Sequence, residues 1–180
     1  MISVSVTHDQ IEYATDLINK YNFALRGVAD GNKENQFIGM LGQTVFADLL
    51  GLPRPQGGNG FDGGCDFHIG SYTTDVKTMG RSVDMKDSYV HNLIALQSQY
   101  NTDYYIFMSY NRQNNLMTIC GFIRKNTFFE RANCFPAGSQ RIRNDGTSFT
   151  LKADNYEIPQ TKLNQINKVS DIIDGITAGI

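Results

Sequence analysis

Residues 66–80 read "DFHIGSYTTDVKTMG", a chain reversal flanked by alternating apolar and polar side chains. Gly70-Ser71 suits a two-residue hairpin loop, because glycine at the first central position is what a type II′ turn requires. That loop fixes the register: Ile69 faces Tyr72, His68 faces Thr73, Phe67 faces Thr74 and Asp66 faces Asp75. Alternation then sends Cys65, Phe67, Ile69, Tyr72, Thr74 and Val76 to one side, and Asp66, His68, Thr73, Asp75 and Lys77 to the other. The first is a core face and the second is polar.

The register creates an electrostatic conflict. Directly opposed residues on an antiparallel pair have Cβ atoms about 4.5 to 5.5 Å apart, so the Asp66 and Asp75 carboxylates repel, more so if half-buried. Either one carboxyl keeps a proton or a cation sits between them. Lys77, on the same face, relieves part of the repulsion, but through a long stem and a single point charge. A hard divalent ion, Mg²⁺ or Mn²⁺, fits the remaining geometry, since it takes one or two carboxylates and fills its other positions with water and phosphate oxygens.

Around this hairpin the chain reads as layered α/β. Thr7 or Asp9 caps a helix carrying Ile11, Ala14, Leu17, Ile18 and Tyr21 on one stripe, expected to end near Arg26-Gly27. A second helix runs from about Glu34 to Leu50 and stops at Gly51. "GLPRPQGGNGFDGG" (51–64) is a loop, and with no G-K-[ST] after it a flexible connection suits it better than a phosphate-binding loop. After the hairpin, "DSYVHNLIALQSQY" (87–100) reads as a helix anchored by Val90, Leu93, Ile94 and Leu96. "YYIFMSY" and "LMTICGFI" are apolar nearly throughout, which suits central strands covered on both faces. "NTFFERAN" suits a short helix, "TSFTLKADNYEI" one or two strands, and "TKLNQINKVSDIIDGI" a terminal helix with Leu163, Ile166, Val169 and Ile172 inward. The expectation is a central mixed sheet with helices on its faces.

Composition narrows the functional classes. The 180 residues suffice for one sizeable core and are few for two, so a single domain spanning 1–180 is expected. No stretch has the length of a membrane span and the N-terminus lacks a signal-peptide pattern, which predicts a soluble, cytoplasmic protein with no membrane partner. Cys65, Cys120 and Cys134 form no C-x-x-C arrangement, and His8, His68 and His91 lack metal-ligand spacing, so neither a disulfide framework nor a zinc site is suggested. A net charge of −2 and a pI near 5.9 give no global field to draw in a polyanion. Any attraction to nucleic acid must therefore be local.

An aspartate, a short variable stretch and then Asp-Val-Lys at a strand end resembles the PD-(D/E)xK nuclease superfamily, the fold of many restriction endonucleases and Holliday-junction resolvases. The match runs through Asp66, Asp75 and Lys77, with Cys65 where that superfamily often has proline. The upstream "GMLGQTVFADLLG" resembles the helix that supplies a further acid in a G-x-x-G-E segment, with Gln43 at the glutamate position. Glu34 is the nearest substitute; motif matching favours Gln43 and helical phase favours Glu34, so both stay open. The resemblance spans about residues 34–123 and leaves 124–180 as a C-terminal extension.

The resemblance implies a restriction endonuclease-like fold and an Mg²⁺- or Mn²⁺-dependent endonuclease acting on DNA. Asp66, Asp75 and the Val76 main-chain carbonyl would hold the ion. Lys77 would orient the attacking water or offset transition-state charge. A homodimer is possible, as relatives pair to cut both strands. Arg124, Lys125, Arg131, Arg141 and Arg143 form the densest basic segments, and Arg54 and Arg81 flank the hairpin; together these are the candidate phosphate contacts. For His68 a supporting hydrogen bond or solvent exposure is favoured over ligation. Two alternatives carry different chemistry. A catalytically inactive nucleic-acid-binding or assembly module on the same scaffold would account for Gln43. A two-carboxylate glycosidase is disfavoured by Lys77 and by the absence of tryptophan.

Overall fold

The computed structural model describes residues 1–21, 23, 32–57, 63–142 and 146–180. The elements in chain order are β1 (Ile2–Ser5), α1 (His8–Lys20), α2 (Lys33–Leu50), β2 (Phe67–Ile69), β3 (Tyr72–Arg81), β4 (Val90–Ile94), β5 (Tyr104–Asn111) and β6 (Leu116–Arg124). The remainder comprises α3 (Lys125–Arg131), β7 (Asn133–Phe135), β8 (Gln140–Ile142), β9 (Ser148–Thr150), β10 (Asn155–Pro159) and α4 (Ser170–Thr177). The class is mixed α/β, as expected.

A five-stranded sheet in the order β1-β6-β5-β3-β2 carries the fold, with β3 and β5 parallel and the other neighbours antiparallel. Every residue of β5 is buried, which is why "YYIFMSYN" has no polar alternation: both faces of this strand are covered. Val76, Tyr104, Ile106, Met108 and Ile119 pack on one face against Leu41, Val45 and Phe46 of α2, with Ala14 of α1 and Ile172 and Ile176 of α4 in the same cluster. Tyr105, Phe107, Cys120 and Ile123 pack on the other face against Leu93 of β4, Phe128 of α3 and Ile158 of β10.

Helices were expected on both faces. The second face is instead covered largely by a three-stranded sheet, β4-β10-β7, with the short α3 beside it. The expected helix over 87–100 is the source of the difference. Val90–Ile94 alternates exposed and buried positions, and its buried His91 and Leu93 point inward while its backbone pairs with β10. A period of two outweighs apolar content here, and only a 3-10 turn follows at Ala95–Gln99.

The expected terminal helix is also shorter. Leu163 joins one core cluster and Ile166 the other, so the chain at this point crosses the edge of the sheet rather than lying along one face. Asn164 exchanges main-chain hydrogen bonds with Phe122 (2.9 and 3.3 Å) where β6 bulges against β5. Gly121 at that bulge has φ 147°, and a Cβ there would lie 2.5 Å from the Asn164 carbonyl oxygen. The helix starts only at Ser170, after the Asp171 carboxylate accepts the N–H groups of Asn167 and Lys168.

Helix ends match local chemistry. Thr7 and Gln10 form the capping box of α1, and Gly51 closes α2 in the left-handed conformation at φ 65°. α1 ends at Lys20, before the expected stop at Arg26-Gly27, a pair that lies outside the described residues. The edge strand β1 and the short strands β7 and β8 go beyond the elements expected from the sequence.

The two sheets are joined by a polar link. The buried His91 ring sits 2.6 Å from Gln160 Oε1, and the Gln160 amide donates to the Cys120 carbonyl at 2.7 Å. Burial, with the nearby Arg81 charge, pulls the His91 pKa down to about 4, against the opposing effect of Gln160. Because the folded-state value lies below the unfolded one near 6.5, the unfolded chain takes up the proton first. The stabilisation is therefore complete above about pH 6.5 and is lost as pH falls towards 4, by about 3 kcal/mol. Urea unfolding at a series of pH values should show this slope in the wild type, and His91→Gln should flatten it between those limits.

Candidate active site

The hairpin forms as the turn chemistry requires. Gly70 takes φ 60° and Asn115 is the sole non-glycine with positive φ among the described residues, so Ser71 does not share it, as a type II′ loop demands. The pairs Phe67↔Thr74, His68↔Thr73 and Ile69↔Tyr72 reproduce the expected register. The ladder then changes at the residue that matters. Asp66 donates its N–H to the Thr74 carbonyl (2.9 Å), and its Oδ2 accepts the N–H of Val76 at 2.8 Å. The half-buried Asp66 carboxylate thus caps the edge of β3 at Val76, between Asp75 and Lys77, rather than standing as the next ladder partner of Asp75.

Asp75 is 2% exposed and forms an ion pair with Lys77, Nζ to Oδ2 at 2.6 Å. The face expected to be polar and open is closed over by the second layer, so this pair is largely removed from water. Tyr105 lies beside Asp75 in the parallel register of β3 and β5, and its phenol pKa is raised, by burial first and by the Asp75 charge second. Its ring packs 5.5 Å from Phe128, part of an interlocked aromatic block that is core rather than cleft. The repulsion inferred from sequence is thereby answered twice: Lys77 neutralises Asp75, and a main-chain donor holds Asp66.

The direction of α2 follows from its contacts with β3. Ile38 sits over Gly80, Gly42 over Thr78, and the Phe46 ring 5.5 Å from that of Phe67. Glu34 is therefore at the far end of β3, where it pairs with Arg112, whose N–H bonds the Arg81 carbonyl. Gln43, half-buried, follows Gly42 on α2, the helix that packs on the Val76 and Thr78 face of β3, whereas Asp75 and Lys77 lie on the face of Tyr105 and Phe107. His68 is exposed, and its Nε2 lies 3.7 Å from the Cys65 thiol.

Several candidate phosphate contacts are committed within the protein. Arg54 binds Asp48 and Asp9 at 2.7 and 2.6 Å and stacks over Tyr13, clamping α1 to α2. Arg81 donates to the Val90 carbonyl and packs on Tyr89. Arg141 forms a two-pronged pair with Glu157 over the Phe135 ring. Lys125 donates to the Tyr100 carbonyl at 2.6 Å. Arg124 and Arg131, at the two ends of α3, are exposed, and Arg143 lies outside the described residues.

The arrangement offers hard oxygen donors from two neighbouring chain segments with an ammonium group beside them. Among the described residues there is no group of three or more His, Cys, Asp or Glu side chains placed to hold a metal ion together. Among the described residues no helix is long and apolar enough to cross a membrane. No family model, curated protein or solved structure matches the chain.

Sequence reasoning did not find Thr102 and Asp103. The Asp103 carboxylate accepts both the N–H and the hydroxyl of Thr73 at 2.8 Å, a contact thirty positions distant with no local signature.

Because Asp75 is buried against Lys77, Asp75→Ala leaves a half-buried ammonium without its counter-charge. Chemical unfolding should show a loss of roughly 2 to 4 kcal/mol, and Asp75→Ala/Lys77→Met should recover most of it. A single variant as stable as the wild type contradicts this account of the pair.

Proposed function

We propose that this protein is a divalent-metal-dependent endonuclease acting on DNA, with Asp66, Asp75 and Lys77 as its working residues. The observation that carries the reading is the hydrogen bond from the Val76 N–H to Asp66 Oδ2 (2.8 Å), which brings the Asp66 carboxylate to the residue lying between Asp75 and Lys77. An acid of the first hairpin arm thus binds the main chain between the acid and the lysine of β3, which supports the reading. The sequence resemblance of Asp66 and Asp-Val-Lys to the PD-(D/E)xK superfamily, and a restriction endonuclease-like arrangement of the mixed sheet, belong to the same proposal.

Asp66, Asp75 and the Val76 carbonyl are the oxygen donors suited to Mg²⁺ or Mn²⁺. When bound, such an ion supplies Lewis-acid polarisation of a phosphate oxygen and acidifies a water. The chain's own part is electrostatic. Lys77, on a long stem and partly exposed, is able to leave Asp75 and stabilise the charge that builds on the scissile phosphate. Burial of Asp75 lowers the local dielectric and strengthens each of these interactions.

A second reading, an inactive nucleic-acid-binding module, is favoured by two observations. Gln43 supplies an amide where the motif has an acid, and the Asp75 charge is already balanced by Lys77. Plasmid nicking separates the two. Supercoiled DNA should be nicked with Mg²⁺ or Mn²⁺ and left intact with chelator, and Asp66→Asn, Asp75→Asn and Lys77→Met should each lower the rate by about a hundredfold or more. DNA binding without nicking by the wild type would establish the second reading instead.

A further inference from the structure

The two arms of the hairpin are gripped by one short segment, residues 100–103. Towards the arm that leads into β2, the Thr102 hydroxyl donates to the Gly64 carbonyl and the Asn101 N–H donates to that of Gly63 at 3.3 Å. Towards β3, the Asp103 carboxylate accepts the Thr73 N–H and hydroxyl, each at 2.8 Å, and the Asp103 N–H returns to Thr73 at 3.0 Å. Lys125 anchors the segment at both ends, with Nζ on the Tyr100 carbonyl at 2.6 Å and its N–H on the Asp103 carbonyl at 2.8 Å.

The close approach depends on glycine. Gly64 has φ 87°, and a Cβ there would lie 2.5 Å from the Cβ of Tyr100. Thr102 is 5% exposed, so water does not compete for its hydroxyl. Asp66 follows Gly64 by two residues, and Asp75 follows Thr73 by two. The segment therefore ties the two carboxylate-bearing arms together at points two residues in sequence from each aspartate.

Resting on the metal-dependent reading above, we infer that Thr102 is a positioning residue that sets the metal affinity of the Asp66 and Asp75 pair through its hydrogen bond to Gly64. It touches neither ion nor substrate. Its effect is geometric: an arm released at Gly64 lets Asp66 move away from β3, and a metal site is sensitive to displacements well below the length of a hydrogen bond.

The test compares Thr102→Val and Thr102→Ser in the full chain. Two quantities are measured: Mn²⁺ binding by the loss of the free-ion paramagnetic resonance signal, and the Mg²⁺ concentration giving half-maximal plasmid nicking. The valine variant should weaken both by about tenfold while nicking at saturating Mg²⁺ stays near wild type, and serine should restore both. Thr102→Ala, which removes the hydroxyl without adding bulk, serves if the valine variant does not fold. Wild-type Mn²⁺ affinity in the valine or alanine variant, or serine as weak as valine, overturns the inference while leaving the nuclease reading intact. A wild-type protein that neither binds Mn²⁺ nor nicks DNA removes the nuclease reading and this inference together.

Discussion

Asp75 and Lys77 lie 2.6 Å apart on a strand whose faces are both covered, and the architecture around β3 is organised by the need to keep that charge pair neutral in a place with little water. Transfer of an isolated carboxylate into such surroundings is so costly that the group loses its charge or the fold moves it out. Alternation places Lys77 on the same side as Asp75, two residues on, and the parallel neighbour β5 contributes Tyr105 and Phe107 on that side rather than another charge. The layer β4-β10-β7 can then close over the strand without stranding an ion.

The second carboxylate is handled differently. Asp66 accepts the Val76 N–H, a donor that lies beyond the β2 ladder, which ends at Phe67. A strand edge that needs an acceptor and a carboxylate that needs a donor satisfy each other. This is also why the two acids meet around Val76 and not face to face. The geometry serves the fold, so each of these residues has a structural reason to be present besides the role proposed for it.

Much of this was legible in residues 66–80, because turn chemistry and strand period are local. Gly70-Ser71 determined the loop, and the loop determined which side chains share a face. The apolar runs of β5 and β6 likewise declared strands covered on both sides. What was not legible depends on partners far away in sequence. Residues 87–100 hold enough apolar residues for a helix, and only pairing with β10, some sixty positions on, selects a strand. The same holds for the site: Asp103 acts on Thr73, Lys125 on Tyr100, and Glu34 is drawn to Arg112 by the direction in which α2 crosses β3. Arginines flanking the hairpin or gathered in basic segments read as phosphate contacts, yet Arg54, Arg81 and Arg141 each meet an internal acceptor that no spacing rule reveals.

That internal use of cations bears on how a polyanion would be held under the proposed reading. With Arg54, Arg81, Lys125 and Arg141 engaged inside the protein, Arg124 and Arg131 flank α3 as the exposed members of the candidate set among the described residues. Each phosphate neutralised by a protein cation steepens the fall of affinity with salt by about 0.9 in the logarithmic slope. Two such contacts alone would give a shallow dependence. On a chain of net charge −2, the proposed reading would leave Lys77 and a bound ion as the local source of attraction for the scissile phosphate. Binding and chemistry would draw on the same few charges, so an ion held loosely weakens capture of the substrate as well as its cleavage.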